Sequence, residues 1–132
     1  MDVKVLLIVD DDRDDRYFFR NAVKEIDPAI ECQEAPDGLE ALIQLRNSKI
    51  LPDFIFLDLN MPGMNGKQCL AELKKDARLA SIPVIIYSTS DFWKDIEETS
   101  KLGAAYYLIK TWDISKLPGM LVHAMEKASK IQ

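Results

Sequence analysis

The chain has 132 residues, with 17 lysines and arginines against 22 acidic side chains and a formal net charge of -5; this is enough for one domain with a real core and too little for a second module. The acidic balance argues against a nucleic-acid or anionic-membrane surface, either of which needs a basic face, and favours metal ions and basic partners. Cys32 and Cys69 stand far apart without a Cys-x-x-Cys pair or companion histidines, so neither a zinc site nor a disulfide framework is expected, only buried or half-buried thiols in a reducing compartment.

Residues 3–9 are apolar and β-branched after Lys4 and read as a central strand covered on both faces, ending on Asp10-Asp11-Asp12. The run is too short, and too soon followed by charge, for a signal peptide or a membrane span, so a soluble cytoplasmic protein is expected. Over residues 14–26, Phe18, Phe19, Ala22, Val23 and Ile26 recur at helical spacing until Asp27-Pro28 stops them. Residues 30–35 alternate weakly, as an outer strand does, and Pro36-Asp37-Gly38 turns the chain into a helix carrying Ala41, Leu42 and Leu45. Residues 54–57 are apolar on both faces and too few for a helix, so they read as a buried parallel strand. That strand ends on Asp58, and two glycines and a proline in residues 60–66 then turn the backbone sharply.

A third helix is expected over 66–75, with Leu70 and Leu73 on one face, and a fourth strand over 82–87, with Pro83 confined to its start. Ser88-Thr89-Ser90 follows it. A fourth helix over 91–102 is the least apolar, capped by Ser90 or Asp91 at its start and by Gly103 at its end. Residues 105–109 make a fifth strand ending on Lys110, and a final helix over 115–130 buries Leu117, Leu121, Ala124 and Ala128.

Strict alternation of strand and helix implies a doubly wound parallel sheet with helices on both faces and a crevice at the carboxyl ends of the strands. Asp10, Asp11, Asp58, Ser88 and Lys110 all end strands, so they converge on that crevice. Three carboxylates there repel one another unless a cation neutralises them, and hard oxygen ligands without histidine or thiolate favour Mg2+ or a similar ion. A hydroxyl and an ammonium opposite suit the remaining oxygens of a phosphoryl group. Asp12, Asp14 and Asp15 read instead as a solvated acidic start to the first helix. The stem of Lys110, following Leu108-Ile109, is expected to lie buried against the sheet. His123 falls off the apolar stripe of the last helix and reads as a surface residue.

The stretches Val9-Asp10-Asp11, residues 57–66, Pro83 through Ser88, Gly103 through Tyr107, and Lys110 three residues after Tyr107 resemble a response regulator receiver domain of the single-domain chemotaxis type, throughout the length of the chain. The resemblance implies a flavodoxin-like (βα)5 fold of strand order 2-1-3-4-5, with residues 1–132 as one receiver and no output domain. It implies that Asp58 accepts a phosphoryl group from a histidine kinase or histidine phosphotransfer protein. Asp11, Asp58 and the main-chain carbonyl of Asn60 would hold Mg2+, with Asp10 acting through water. Ser88 would be the switch hydroxyl, Lys110 the conserved ammonium and Tyr107 the aromatic that changes rotamer. Self-phosphotransfer and loss of the phosphoryl group to water would be its only chemistry. One departure stands out: the family's Lys-Pro with a cis bond is replaced by Lys110-Thr111, so this peptide is either trans or strained.

A haloacid-dehalogenase-like phosphatase shares the aspartate, hydroxyl, lysine and Mg2+, but needs an acid two residues after the nucleophile, where this chain has Asn60. A flavodoxin-like FMN carrier needs a phosphate loop after the first strand, and none follows. A degenerate receiver that only binds partners fits less well, because the acidic, hydroxyl and lysine set is complete. The output is expected through the fourth and fifth strands and helices within residues 88–130, a face carrying Phe92, Trp93, Tyr106 and Trp112, with a downstream protein as its target.

Overall fold

The computed structural model describes residues 2–130. Its strands are β1 (Val5–Val9), β2 (Glu31–Ala35), β3 (Phe54–Leu57), β4 (Val84–Ser88) and β5 (Tyr106–Ile109), and its helices are α1 (Arg13–Ile26), α2 (Gly38–Asn47), α3 (Gly66–Lys75), α4 (Trp93–Lys101) and α5 (Leu117–Lys130), the last led in by a 3-10 turn at Ile114–Lys116. The strands are all parallel and ordered β2-β1-β3-β4-β5. Every residue of β1, β3 and β4 is buried, which is why these segments are apolar without alternation, whereas the edge strand β2 is mostly half-exposed.

Because side chains alternate across the sheet, each central strand feeds two cores. Leu7, Val9, Ile55 and Leu57 pack with Leu42 and Leu45 of α2 and Leu70 and Leu73 of α3. On the other face Leu6, Ile8, Phe54 and Phe56 pack with Phe19 and Val23 of α1 and Leu121 and Ala124 of α5. Phe19 meets Phe56 edge-on with ring centroids 4.9 Å apart, an arrangement favoured by the ring quadrupoles.

Pairing of Val9 with Leu57 and of Ser88 with Ile109 brings the carboxyl ends of neighbouring strands level. Main-chain bonds continue the ladder one residue further: Asp58 N–H donates to the Val9 carbonyl at 3.0 Å, Asp10 N–H to Ala35 at 3.1 Å and Lys110 N–H to Ser88 at 2.8 Å. The residues that end the strands are therefore held as firmly as the strands.

The fourth helix departs from expectation. It begins at Trp93, and its N-cap is Phe92, with no side-chain capping bond, in place of Ser90 or Asp91. Ser90 is committed elsewhere: its hydroxyl donates to Asp95 Oδ2 at 2.6 Å and its carbonyl accepts the Tyr107 hydroxyl at 2.8 Å, which keeps the chain extended until Phe92. The other end is as expected. Gly103, at φ 106°, closes α4 with Gly103 N–H bonded to Ser100 and Ala104 N–H to Thr99, a Schellman motif that uses the left-handed backbone open to glycine. The peptide after Lys110 is trans, as is every other among the described residues. Cys32 is half-buried and Cys69 buried, both as free thiols, and burial pushes each up to about 12, where thiols are unreactive.

Candidate functional site

Asp58 is positioned by two features of local sequence. Its Oδ1 accepts the Leu59 N–H at 2.8 Å. Behind it, α3 begins so close to β3 that a Cβ on Gly66 would lie 2.2 Å from the Asp58 carbonyl oxygen and 2.6 Å from the Leu59 Cα. Only glycine permits that approach, and the Gly66 N–H seals it by donating to the Leu59 carbonyl at 2.9 Å.

Asp10, one strand over, is wholly buried. Its Oδ1 accepts the Asp12 N–H at 2.9 Å, and Arg16 Nη1 donates to its carbonyl at 2.6 Å. Asp11 is exposed at the rim. Carboxylate oxygens of Asp10, Asp11 and Asp58 all lie within 4.8 Å of one another. An all-oxygen set this tight, with neither nitrogen nor sulfur donors, fits a hard divalent cation.

Lys110 enters from the end of β5. Its Nζ lies 2.7 Å from Asp10 Oδ2, 2.7 Å from Asp15 Oδ2 and 3.7 Å from Asp58 Oδ2, and 5.3 Å from the centroid of the Tyr87 ring. The stem is buried as expected, with 9% of the side chain exposed. Burial alone lowers the affinity of Lys110 for its proton, but the hydrogen bonds to Asp10 and Asp15 and the charges of Asp10 and Asp58 outweigh that, and the net direction is up. Burial, followed by the charge of Asp10, raises Asp58 to about 6 against the opposing pull of Lys110. Asp10 is also raised, chiefly by burial.

Ser88 is fully buried at the end of β4 and accepts the Ser90 N–H at 3.2 Å. Tyr107, half-buried on β5, is tied through its hydroxyl to the Ser90 carbonyl. Asn60 is exposed and lines a cavity of about 390 Å³ with Leu59, Met61, Asn65, Lys67 and Asp95. Thus the structure gathers Asp10, Asp11, Asp58 and Lys110 into one cluster, with Ser88 and Tyr107 linked to each other through Ser90. His123 is exposed and stacks edge-on with Tyr106, 6.1 Å between centroids, away from the cluster.

Two members were not anticipated. Asp15, read from sequence as a solvated helix-start acid, instead pairs with Lys110 across 95 positions of chain. The available signal was its place one helical turn after Asp11 and three residues after the N-cap Asp12, which aims it back at the strand end. Tyr87, beneath the Lys110 ammonium, carried no sequence signal distinguishing it from core.

A doubly wound parallel sheet whose strand ends gather three carboxylates and a buried lysine defines a flavodoxin-like α/β protein with an acidic crevice at the strand-order switch. Residues 6–122 match the family model of the response regulator receiver domain. The chain is 31% identical over 122 residues to the chemotaxis protein CheY-3 of Vibrio cholerae serotype O1, covering 92% of each. It is 31% identical over 119 residues to the response regulator Rcp1 of Synechocystis sp., covering 86% of this chain and 81% of the relative; a crystal structure of Rcp1 is of its Mn2+-bound form. The crystal structure of the phosphorylated cyanobacterial phytochrome response regulator RcpA matches with a TM-score of 0.87 at 30% identity, over 99% of this chain and 97% of that one. The chain belongs to the response regulator receiver domain family and is a receiver of two-component signalling. Membership sets aside the phosphatase and flavin-carrier alternatives.

Proposed function

We propose that Asp58 is the phosphoacceptor, taking its phosphoryl group from the phosphohistidine of a histidine kinase or histidine phosphotransfer protein. The observation that carries this is its setting: a buried carboxylate with Oδ1 engaged by the Leu59 N–H and Oδ2 turned toward Lys110 at 3.7 Å. Oδ2 is the oxygen available to attack. In the transfer the Asp58 Oδ2–phosphorus bond forms as the nitrogen–phosphorus bond of the donor breaks, the imidazole leaving with the bonding pair. Lys110 offsets the charge on one phosphoryl oxygen, and the Ser88 hydroxyl donates to another. Asp11, Asp58 and the Asn60 carbonyl, with Asp10 through water, would hold Mg2+, which when bound supplies the remaining positive charge to the transferring group. Water attack on the acyl phosphate ends the signal, so self-phosphotransfer and autodephosphorylation are the only chemistry. The complete set of carboxylates, hydroxyl and ammonium speaks against a receiver that only binds partners.

On this reading residues 1–132 act as one receiver domain in the cytoplasm. Output passes through the face of β4, α4, β5 and α5 to a downstream protein. That face exposes Phe92, Trp93 and Trp112, the last 99% exposed, while Tyr106 is half-buried. The test is intact mass after incubation with acetyl phosphate and Mg2+. A single phosphoryl adduct on the wild type, absent from Asp58→Asn and from EDTA-treated protein, is the expected result; an adduct at full yield in either control overturns the assignment.

A further inference from the structure

The Lys110 ammonium has three protons to share. Two are taken at 2.7 Å, by Asp10 Oδ2 and Asp15 Oδ2, and Asp58 Oδ2 lies a full ångström further, at 3.7 Å. The two close partners are not equivalent. Asp10 is wholly buried and also holds the Asp12 N–H, so it belongs to the framework of the site. Asp15 leaves 30% of its side chain exposed, and Lys110 is its sole hydrogen-bonding or ion-pair partner through the side chain among the described residues. A helix-start acid would gain from the macrodipole without any cation, as exposed Asp14 on the same turn does. Asp15 instead reaches from α1 to the end of β5.

We propose that Asp15 is a positioning residue that draws Lys110 away from Asp58 and competes with the phosphoryl group for its ammonium, thereby restraining phosphorylation. The inference rests on Asp58 being the phosphoacceptor. A phosphoryl group on Asp58 Oδ2 brings new anionic oxygens to the side of the crevice where Lys110 stands 3.7 Å away. To come within hydrogen-bonding distance of them the ammonium must shift from the two carboxylates that hold it at 2.7 Å, and the half-exposed Asp15 is the partner that water replaces most readily. Removing the Asp15 charge leaves Asp10 as the one close carboxylate holding Lys110, so the ammonium shifts more easily toward the incoming group, and it lowers the negative potential around that group.

The experiment compares wild type, Asp15→Asn, Asp15→Glu and Asp14→Asn at saturating Mg2+. It reads the rate of adduct formation with acetyl phosphate by intact mass and the affinity for beryllofluoride by NMR titration. Asp15→Asn is expected to phosphorylate about fivefold faster and to bind beryllofluoride about fivefold more tightly, the scale of one partly exposed ion pair. Asp14→Asn, which loses the same charge from the same helical turn, stays at the wild-type rate, and Asp15→Glu, which keeps the charge, returns to within about twofold of it. An Asp15→Asn rate equal to or below wild type overturns the proposal, as does an equal acceleration in Asp14→Asn. Wild type that forms no adduct overturns the phosphoacceptor reading itself and this inference with it.

Discussion

Within the first acidic run, adjacent carboxylates do different work. Asp12 accepts the N–H groups of Asp14 and Asp15 as the N-cap of α1, while Asp11 offers an oxygen to the cluster. Asp12→Ala should therefore cost about 1 kcal/mol of stability with little change in Mg2+ affinity, and Asp11→Ala should do the reverse. Thermal denaturation and Mg2+ titration of both variants check this, and equal losses of affinity would show the run to be misassigned. Asp10, Asp11, Asp58, Ser88 and Lys110 could be picked out from the sequence because each stands at or just past the end of a strand, and strand ends define the crevice. Asp15 could not, because its partner follows β5, 95 positions further along the chain, and the two meet only once the fold is formed. Gly66 was visible as a turn glycine, but the contact it makes possible behind Asp58 exists only once β3 and α3 are packed.

At the scale of elements, α4 buries the fewest side chains of the five α-helices and is tied to its neighbours by polar contacts. Thr99 is its sole buried residue. Lys67 of α3 donates to Asp95 Oδ1 at 2.7 Å and Glu98 Oε2 at 3.0 Å, and Asp95 Oδ2 accepts the Ser90 hydroxyl. The pairs are about one-third exposed on the Lys67 side, so each is worth little alone, but together they fix the start of α4. Lys67→Ala is expected to leave global stability within about 1 kcal/mol, while amide exchange in residues 93–101 quickens. Unchanged exchange there would show α4 to be held by other means. The boundary error at α4 has the same origin: Ser90 and Asp91 look like caps locally, and only the Tyr107 and Asp95 partners reveal that Ser90 is spoken for. The third helix, by contrast, was legible from Leu70 and Leu73 on one face and runs over Gly66–Lys75, its start held by a capping box of Asn65 and Gln68 that the structure reveals.

The whole molecule bears a charge conflict at the strand ends. Asp58 is raised from 3.8 to about 6 in the folded state, so between these values the folded protein binds more protons than the unfolded one. Stability then falls as pH rises through that window, and above about 6 the full cost is present, on the order of 1–3 kcal/mol. A divalent cation among the carboxylates relieves it. Mg2+ is therefore expected to raise the melting temperature by several degrees at pH 7.5, about 5 °C for a domain of this size, and by much less at pH 5, where Asp58 is largely protonated. Calorimetry at the two pH values, with and without Mg2+, measures this directly. Equal gains at both would mean that the cation does not bind through Asp58.

A chain of hydrogen bonds leads from the end of β4 to the surface. Ser88 is bonded to Ser90, Ser90 to both Tyr107 and Asp95, and Asp95 to Lys67, so the hydroxyl proposed to donate to the phosphoryl group and the helix that presents Phe92 and Trp93 share one network. A switch needs an element with two states that the phosphoryl group distinguishes. In the structure Tyr107 is anchored to the Ser90 carbonyl, so drawing Ser88 inward is expected to strain or break that anchor and release the ring. Beryllofluoride with Mg2+ mimics the phosphorylated state without hydrolysis. Amide shifts are expected to change near Asp58 and across residues 88–112, and Tyr107→Phe, which lacks the anchoring hydroxyl, should already lie partway along that path before the adduct forms. Changes confined to the immediate surroundings of Asp58, or a Tyr107→Phe spectrum identical to wild type across residues 88–112, would place the switching element elsewhere.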